Sequence, residues 1–259
     1  MISKIAAAIG AIVFILTPIT AQASRVSPMI VALEPVGRGS ITRIELTNDS
    51  DRDIPYEVLM MRGEISPDGK LALKPADDEF LLFPTQTIVE ANSQQVFRAQ
   101  YVGEAALDKS QIYYMSIRQV PVEFEGEDSQ VQVVVNYNVL INVVPDGALP
   151  TPVVLGTKVT TRLGQIPEGE AEKGVVPPTI HGVEVDVGNE GNRFFLAGYT
   201  NWTVSGRTVA GDPFETKIGN TSLSNLIGVG VVAPGRNRLF FIPTETPLEE
   251  GSVTVEIKP

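Results

Sequence analysis

Residues 131–144 read Val-Gln-Val-Val-Val-Asn-Tyr-Asn-Val-Leu-Ile-Asn-Val-Val. Every odd position is apolar: Val131, Val133, Val135, Tyr137, Val139, Ile141 and Val143. Between Val131 and Val143 the even positions include Gln132, Asn136, Asn138 and Asn142, with Val134 and Leu140 as the exceptions. A period of two places alternate side chains on opposite faces, so the run predicts a β-strand with one buried face. At ~3.3 Å per residue it would span about 45 Å, against about 17–20 Å for an ordinary strand. Two readings account for the surplus. The strand bends to serve two sheets or runs into a linker, or it is an edge strand whose extra length is offered to another chain.

The same period extends outward from this run. In residues 40–48, Ile44 and Leu46 face one way while Arg43, Glu45 and Thr47 face the other. Residues 95–102 and 112–120 repeat the pattern, rich in Val, Ile, Tyr and Phe. Turn clusters such as Asn48-Asp49-Ser50 and Pro67-Asp68-Gly69 separate the runs. No segment after residue 23 sustains a helical stripe. Many short strands with turn signals between them predict an all-β protein built of β-sandwiches. Pro145-Asp146-Gly147-Ala148-Leu149-Pro150 follows directly on the long strand and marks a domain boundary. This gives two immunoglobulin-like sandwiches in tandem, residues 24–145 and 146–259, each of ordinary domain size. Residues 165–178 read as an acidic, proline-containing loop within the second.

The N-terminus predicts export. Lys4 precedes an apolar stretch over residues 5–19, and Ala21-Gln22-Ala23 gives the small-x-small pattern of a signal-peptidase site, so residues 1–23 read as a cleaved signal peptide. The apolar stretch is shorter than the ~20 residues that span a bilayer. The 259-residue chain carries a formal charge of -11. With no basic cluster in the sequence, nucleic acid is not an expected partner, because that affinity comes from neutralising phosphates. There is no cysteine, which removes thiol catalysis and cysteine-based metal sites and leaves stability to the cores.

A search for chemistry yields no catalytic constellation. His181 is the only histidine and stands at the head of an alternating run. It lacks the partners that a zinc site or a Ser-His-Asp triad requires. No phosphate-cradling glycine loop precedes a helix. Asp77-Asp78-Glu79 and Glu249-Glu250 read as solvated loops, with nothing to single out a glycosidase pair. Asp49, Asp51 and Asp53 alternate as in some calcium loops, but without the EF-hand glycine and terminal glutamate they read as a turn. The sequence therefore predicts a binding protein, not an enzyme, with no cofactor, no metal and no small-molecule substrate.

The order of several fragments resembles the PapD-like periplasmic chaperones of the chaperone–usher pilus pathway. Leu46-Thr47-Asn48-Asp49 followed by Ile54-Pro55-Tyr56 is similar to that family's second strand and turn. Phe83-Pro84 with Ile88, then Gln95-Val96-Phe97-Arg98, resembles its proline-containing strand and the Gln-x-x-Arg strand after it. Ile117-Arg118-Gln119-Val120-Pro121 resembles its Leu-Arg-x-Ile-Pro strand end. A short acidic loop, Glu123 to Asp128, then leads to the long alternating strand and Pro145. Asn189-Glu190-Gly191-Asn192 and Val231 to Arg238 look like second-domain counterparts.

The resemblance implies a boomerang-shaped periplasmic chaperone. It would bind pilus subunits, or other export-bound β-rich clients, by lending its long edge strand to their incomplete sandwich, and would deliver them to an outer-membrane usher. Val131, Val133 and Val135 would plug the client's groove. The family holds the client's terminal carboxylate with a basic pair in the interdomain cleft. Here Ile30 and Leu140 stand at those positions, and Val144 replaces the basic residue that often precedes the terminal proline. The anchor is then either absent or supplied by another residue, with Arg25 and Arg118 as the candidates. The competing reading is a structural or adhesive sandwich protein of the cell envelope.

Overall fold

The computed structural model describes residues 24–121, 134–166 and 174–258. The signal-peptide assignment, Val131, Val133 and the acidic loop of residues 123–128 lie outside them. The first ten strands are β1 (Arg25–Ser27), β2 (Ile30–Leu33), β3 (Ile41–Asn48), β4 (Ile54–Ile65), β5 (Leu71–Pro75), β6 (Phe80–Phe83), β7 (Gln86–Val89), β8 (Ser93–Tyr101), β9 (Gln111–Gln119) and β10 (Asn136–Val143). They form two sheets. One runs β1-β3-β8-β6; the other runs β2-β10-β9-β4-β5, with β7 also on β4. Two prolines stand where the chain changes sheet: Pro28 between β1 and β2, and Pro84 between β6 and β7. Proline has no N–H to give a ladder, so it suits these corners.

Alternation fills the space between the sheets. Ile44 and Leu46 of β3, Tyr56 and Val58 of β4, Phe97 of β8, Met115 and Ile117 of β9, and Val139, Ile141 and Val143 of β10 are all buried in one core. At the end of β3 the Asn48 side chain is buried too, and fully bonded. Its Nδ2 donates to the carbonyls of Arg52 (2.8 Å), Val89 (3.0 Å) and Glu90 (3.0 Å), and its Oδ1 accepts from Ser50 N (3.1 Å). This amide makes the turn that Asn48-Asp49-Ser50 predicts and ties it to the strand end at Val89.

The second domain contains β11 (Pro152–Leu163), β12 (Thr179–Asn189), β13 (Phe195–Leu196), β14 (Asn201–Arg207), β15 (Pro213–Ile218), helix α1 (Asn220–Ile227), β16 (Val231–Val232), β17 (Asn237–Pro243) and β18 (Thr254–Lys258). Its sheets are β11-β12-β17, β15-β14-β18 and the small pair β13-β16. Val183, Val185 and Val187 of β12 meet Trp202, Val204, Phe240 and Ile242 in a separate core. Asn189 repeats the device of Asn48: Nδ2 donates to Arg193 O (2.7 Å) and Val232 O (3.2 Å), and Oδ1 accepts from Thr151 N and Gly191 N (both 3.1 Å).

The helix corrects the expectation of none. With eight residues, α1 is too short for a sustained stripe; only Leu223 is fully buried, and Gly228 ends it at φ 69°. Among the described residues no helix is long and apolar enough to cross a membrane.

A third apolar cluster joins the domains. Ile112, Tyr114, Leu140 and Val144 pack with Ala148, Phe194 and Val231. Around it, Ser110 N donates to Asn192 O (2.9 Å), Phe194 N to Ser110 Oγ (2.8 Å) and Leu239 N to Pro67 O (2.8 Å). Val144, just before the proline- and glycine-bearing stretch of residues 145–150, and Ala148 within it are thus buried.

Candidate functional site: the open edge of β10

β10 is flanked unequally. On one side it pairs antiparallel with β9 along its whole length, from Asn136 opposite Arg118 to Val143 opposite Gln111. On the other it pairs parallel with β2 only from Leu140 to Val143. The hydrogen bonds Leu140 N to Met29 O (3.0 Å) and Val144 N to Leu33 O (2.8 Å) show that even-numbered residues turn their backbone groups towards β2. In an extended strand this direction alternates residue by residue. Asn136 and Asn138 therefore turn their N–H and C=O groups to the same side, beyond the point where β2 begins. Among the described residues no strand pairs with them there. Val135 conforms to the alternation, its N–H turned to the β9 side and 3.4 Å from Gln119 Oε1.

Side chains along β10 follow the two faces. Val139, Ile141 and Val143 are fully buried in the first core, and Tyr137 packs partly against it with its hydroxyl donating to Ser24 O. Val135, next in this odd-numbered series, is 38% exposed. The series that fills the domain thus continues beyond the domain's own core. On the opposite face Asn136 and Asn138 are exposed, whereas Leu140 is buried between the domains.

The structure separates the other residues singled out by the sequence. Ile30 and Leu140 are direct cross-strand partners, and both pack in the interdomain cluster. Arg25 lies on β1 in the other sheet, its Nε 2.7 Å from Asp49 Oδ2; that hydrogen bond raises its pKa above the ordinary value. Arg118 lies on β9 directly opposite Asn136, beside the open edge, and its Nε donates to Ser116 Oγ at 3.2 Å. The structure does not bring Arg25 and Arg118 together. Asp49, Asp51 and Asp53 are dispersed as well: Asp49 pairs with Arg25, and Asp53 Oδ1 accepts Ala91 N at 2.9 Å. Among the described residues no three His, Cys, Asp or Glu side chains converge. His181 stands on β12, and its carbonyl accepts Thr244 N.

One polar network escaped the sequence reading. Arg62 Nη2 contacts Glu79 Oε2 (2.5 Å), Gln111 Oε1 (2.9 Å) and the Tyr113 hydroxyl (2.9 Å), and that hydroxyl also meets Glu79 Oε2 at 2.5 Å. Burial first, then the bond to Glu79, pushes the Tyr113 pKa far up, so the phenol stays protonated. The network binds β4 and β9 to the short turn at residues 77–79. Its members lie too far apart in sequence to be paired by spacing.

No protein-family model matches the chain, and no curated protein matches it. Solved structures similar to it include the class 5 fimbriae chaperone CfaA, at 10% identity and a TM-score of 0.49 over 92% of this chain and 99% of that one. The E. coli chaperone DraB is similar at 14% identity and a TM-score of 0.47, over 91% and 94%. A Salmonella enterica SafA pilin complex with the SafB chaperone is similar at 17% and 0.47, over 91% and 96%.

Proposed function

We propose that this protein is a periplasmic chaperone that lends the open edge of β10 to an exported, β-rich client such as a pilus subunit. The carrying observation is the unpaired edge at Asn136 and Asn138, backed by an apolar series that continues to a half-exposed Val135. A client lacking one strand would pair its backbone with those two residues, while Val135, with Val133 and Val131 before it, fills the client's groove. Burying a valine is worth about 1.5 kcal/mol or slightly more, so three give roughly 5 kcal/mol before ordering costs. Burial and strand pairing suffice, so the reading needs no cofactor and no catalysis. The leader of residues 1–23 would carry the chain to the periplasm, where an outer-membrane usher would receive the client. Of the two arginines, Arg118, one strand in from the edge, is the better candidate for a client's carboxylate, since Arg25 is paired with Asp49.

The test is client capture. Periplasmic pull-down with mass spectrometry identifies the client, and binding is then measured for Val135→Glu and Val133→Glu. An unpartnered carboxylate in an apolar groove costs several kcal/mol, so each variant should lose the client by about a hundredfold or more. Gln132→Glu, outside the apolar series, should bind normally. Melting temperatures should stay near that of the parent. Unfolding of either valine variant, or undiminished binding, would sink the edge-donation mechanism.

A further inference from the structure

A crevice of about 560 Å³ opens between the domains, lined on the first by β4, β5 and the start of β9. That volume lies within the ~300–1,000 Å³ of ligand-sized clefts. Both domains line it, and its charge runs against that of the molecule. Arg62, Lys70, Lys109 and Arg236 face it with a single carboxylate, Glu64, in a chain of net charge -11. Three of these five are already engaged: Arg62 with Glu79, Lys70 with Asp68, and Glu64 with Lys74. Lys109 and Arg236 are exposed and have no carboxylate within 4.0 Å among the described residues.

A third cation lies behind the rim. Arg238 Nη1 donates to Val231 O at 3.0 Å, but its buried Nε has no partner among the described residues. Burial lowers its pKa, as expected for a guanidinium short of counter-charge. Its Nη2 lies beside Gly69, in the turn that follows the crevice residues Ser66 and Pro67. The crevice also has an apolar lining, from Ile65, Leu71, Ile112 and Pro234.

We propose that this crevice binds an acidic peptide segment, with carboxylates held by Lys109 and Arg236 and an apolar side chain seated on Ile65, Leu71 and Ile112. A bare inorganic anion would satisfy the cations and leave the apolar lining uncovered, whereas an apolar peptide would leave the cations unmatched. Concentrated positive charge in a low-dielectric cleft also draws such a ligand in from solution. Edge donation is a separate matter: no residue of β10 lines the crevice, and Asn136 and Asn138 lie towards the other end of that strand from the partners of Gln111 and Ile112.

The test uses the full mature chain and needs no client. Binding of acetyl-Leu-Glu-Glu-amide is compared with that of acetyl-Leu-Gln-Gln-amide, inorganic phosphate and citrate, at low and high salt. The glutamate peptide should bind at least about tenfold more tightly than the glutamine peptide and weaken with salt. Lys109→Glu combined with Arg236→Glu should reduce that binding by at least about tenfold and leave the melting temperature near the parent's, because both side chains are exposed. Lys217→Glu, in a pair with Glu215 on β15, is the control and should change nothing. Equal binding of the two peptides, binding of phosphate or citrate without the peptide, no binding, or indifference to the charge reversal would overturn the proposal.

Discussion

Three buried asparagines show how the same side chain can stabilise or burden a fold. Asn48 and Asn189 satisfy both amide atoms, each closing a turn and reaching a carbonyl 41 or 43 residues away, at Val89 and Val232. Asn142 is fully buried with neither Nδ2 nor Oδ1 bonded among the described residues. Removing a bonded buried amide strands its partners, so Asn48→Ala and Asn189→Ala should each cost about 2–4 kcal/mol in denaturant unfolding. Removing an unbonded one relieves a desolvation penalty, so Asn142→Val should raise stability by about 1–2 kcal/mol. A loss on Asn142→Val would mean that the amide does have a partner. The sequence shows Asn48 as part of a turn. It does not show the latch, because Val89 is recognisable as a partner only once the two sheets have closed.

At the scale of elements, backbone direction makes β10 testable amide by amide. Tyr137 and Val139 face β9, and Leu140 is bonded to Met29, whereas Asn136 and Asn138 face the open side. Hydrogen exchange of the free protein should find the amides of Asn136 and Asn138 fast and those of Tyr137, Val139 and Leu140 protected, with the first two slowing when a client binds. Protection of Asn138 in the free protein would show the edge already covered. β9 is buried on both faces from Ile112 to Ile117, but the strands were legible where period two persists, as through β3 and β8. Neither the point at which β2 stops nor the helix α1 was: pairing partners leave no mark on periodicity, and two helical turns give too few apolar positions to register.

At the scale of the molecule, the junction is a packed layer as well as a tether. Ile112 and Phe194 meet across it beside the bond from Phe194 N to Ser110 Oγ. Proteases should therefore spare residues 145–150 in the parent and cut there in Ile112→Ser combined with Phe194→Ser, each core still melting cooperatively. Equal cutting of both would show that the layer does not hold the linker. The prolines and glycine of residues 145–150 do not reveal that Val144 and Ala148 are buried, because the surfaces that cover them come from distant strands. Pro28, where the first strand crosses between sheets, has a consequence of its own. β2 runs parallel to β10 with Ile30 opposite Leu140, so one pleat earlier Pro28 falls opposite Asn138. The chain before it, β1, has left for the other sheet, where it pairs with β3. A chain that continued β2 along β10 would allow the molecule to cap itself, exchanging its readiness to bind for a safer, self-satisfied surface; the early crossing of β1 keeps the vacancy from being filled at home.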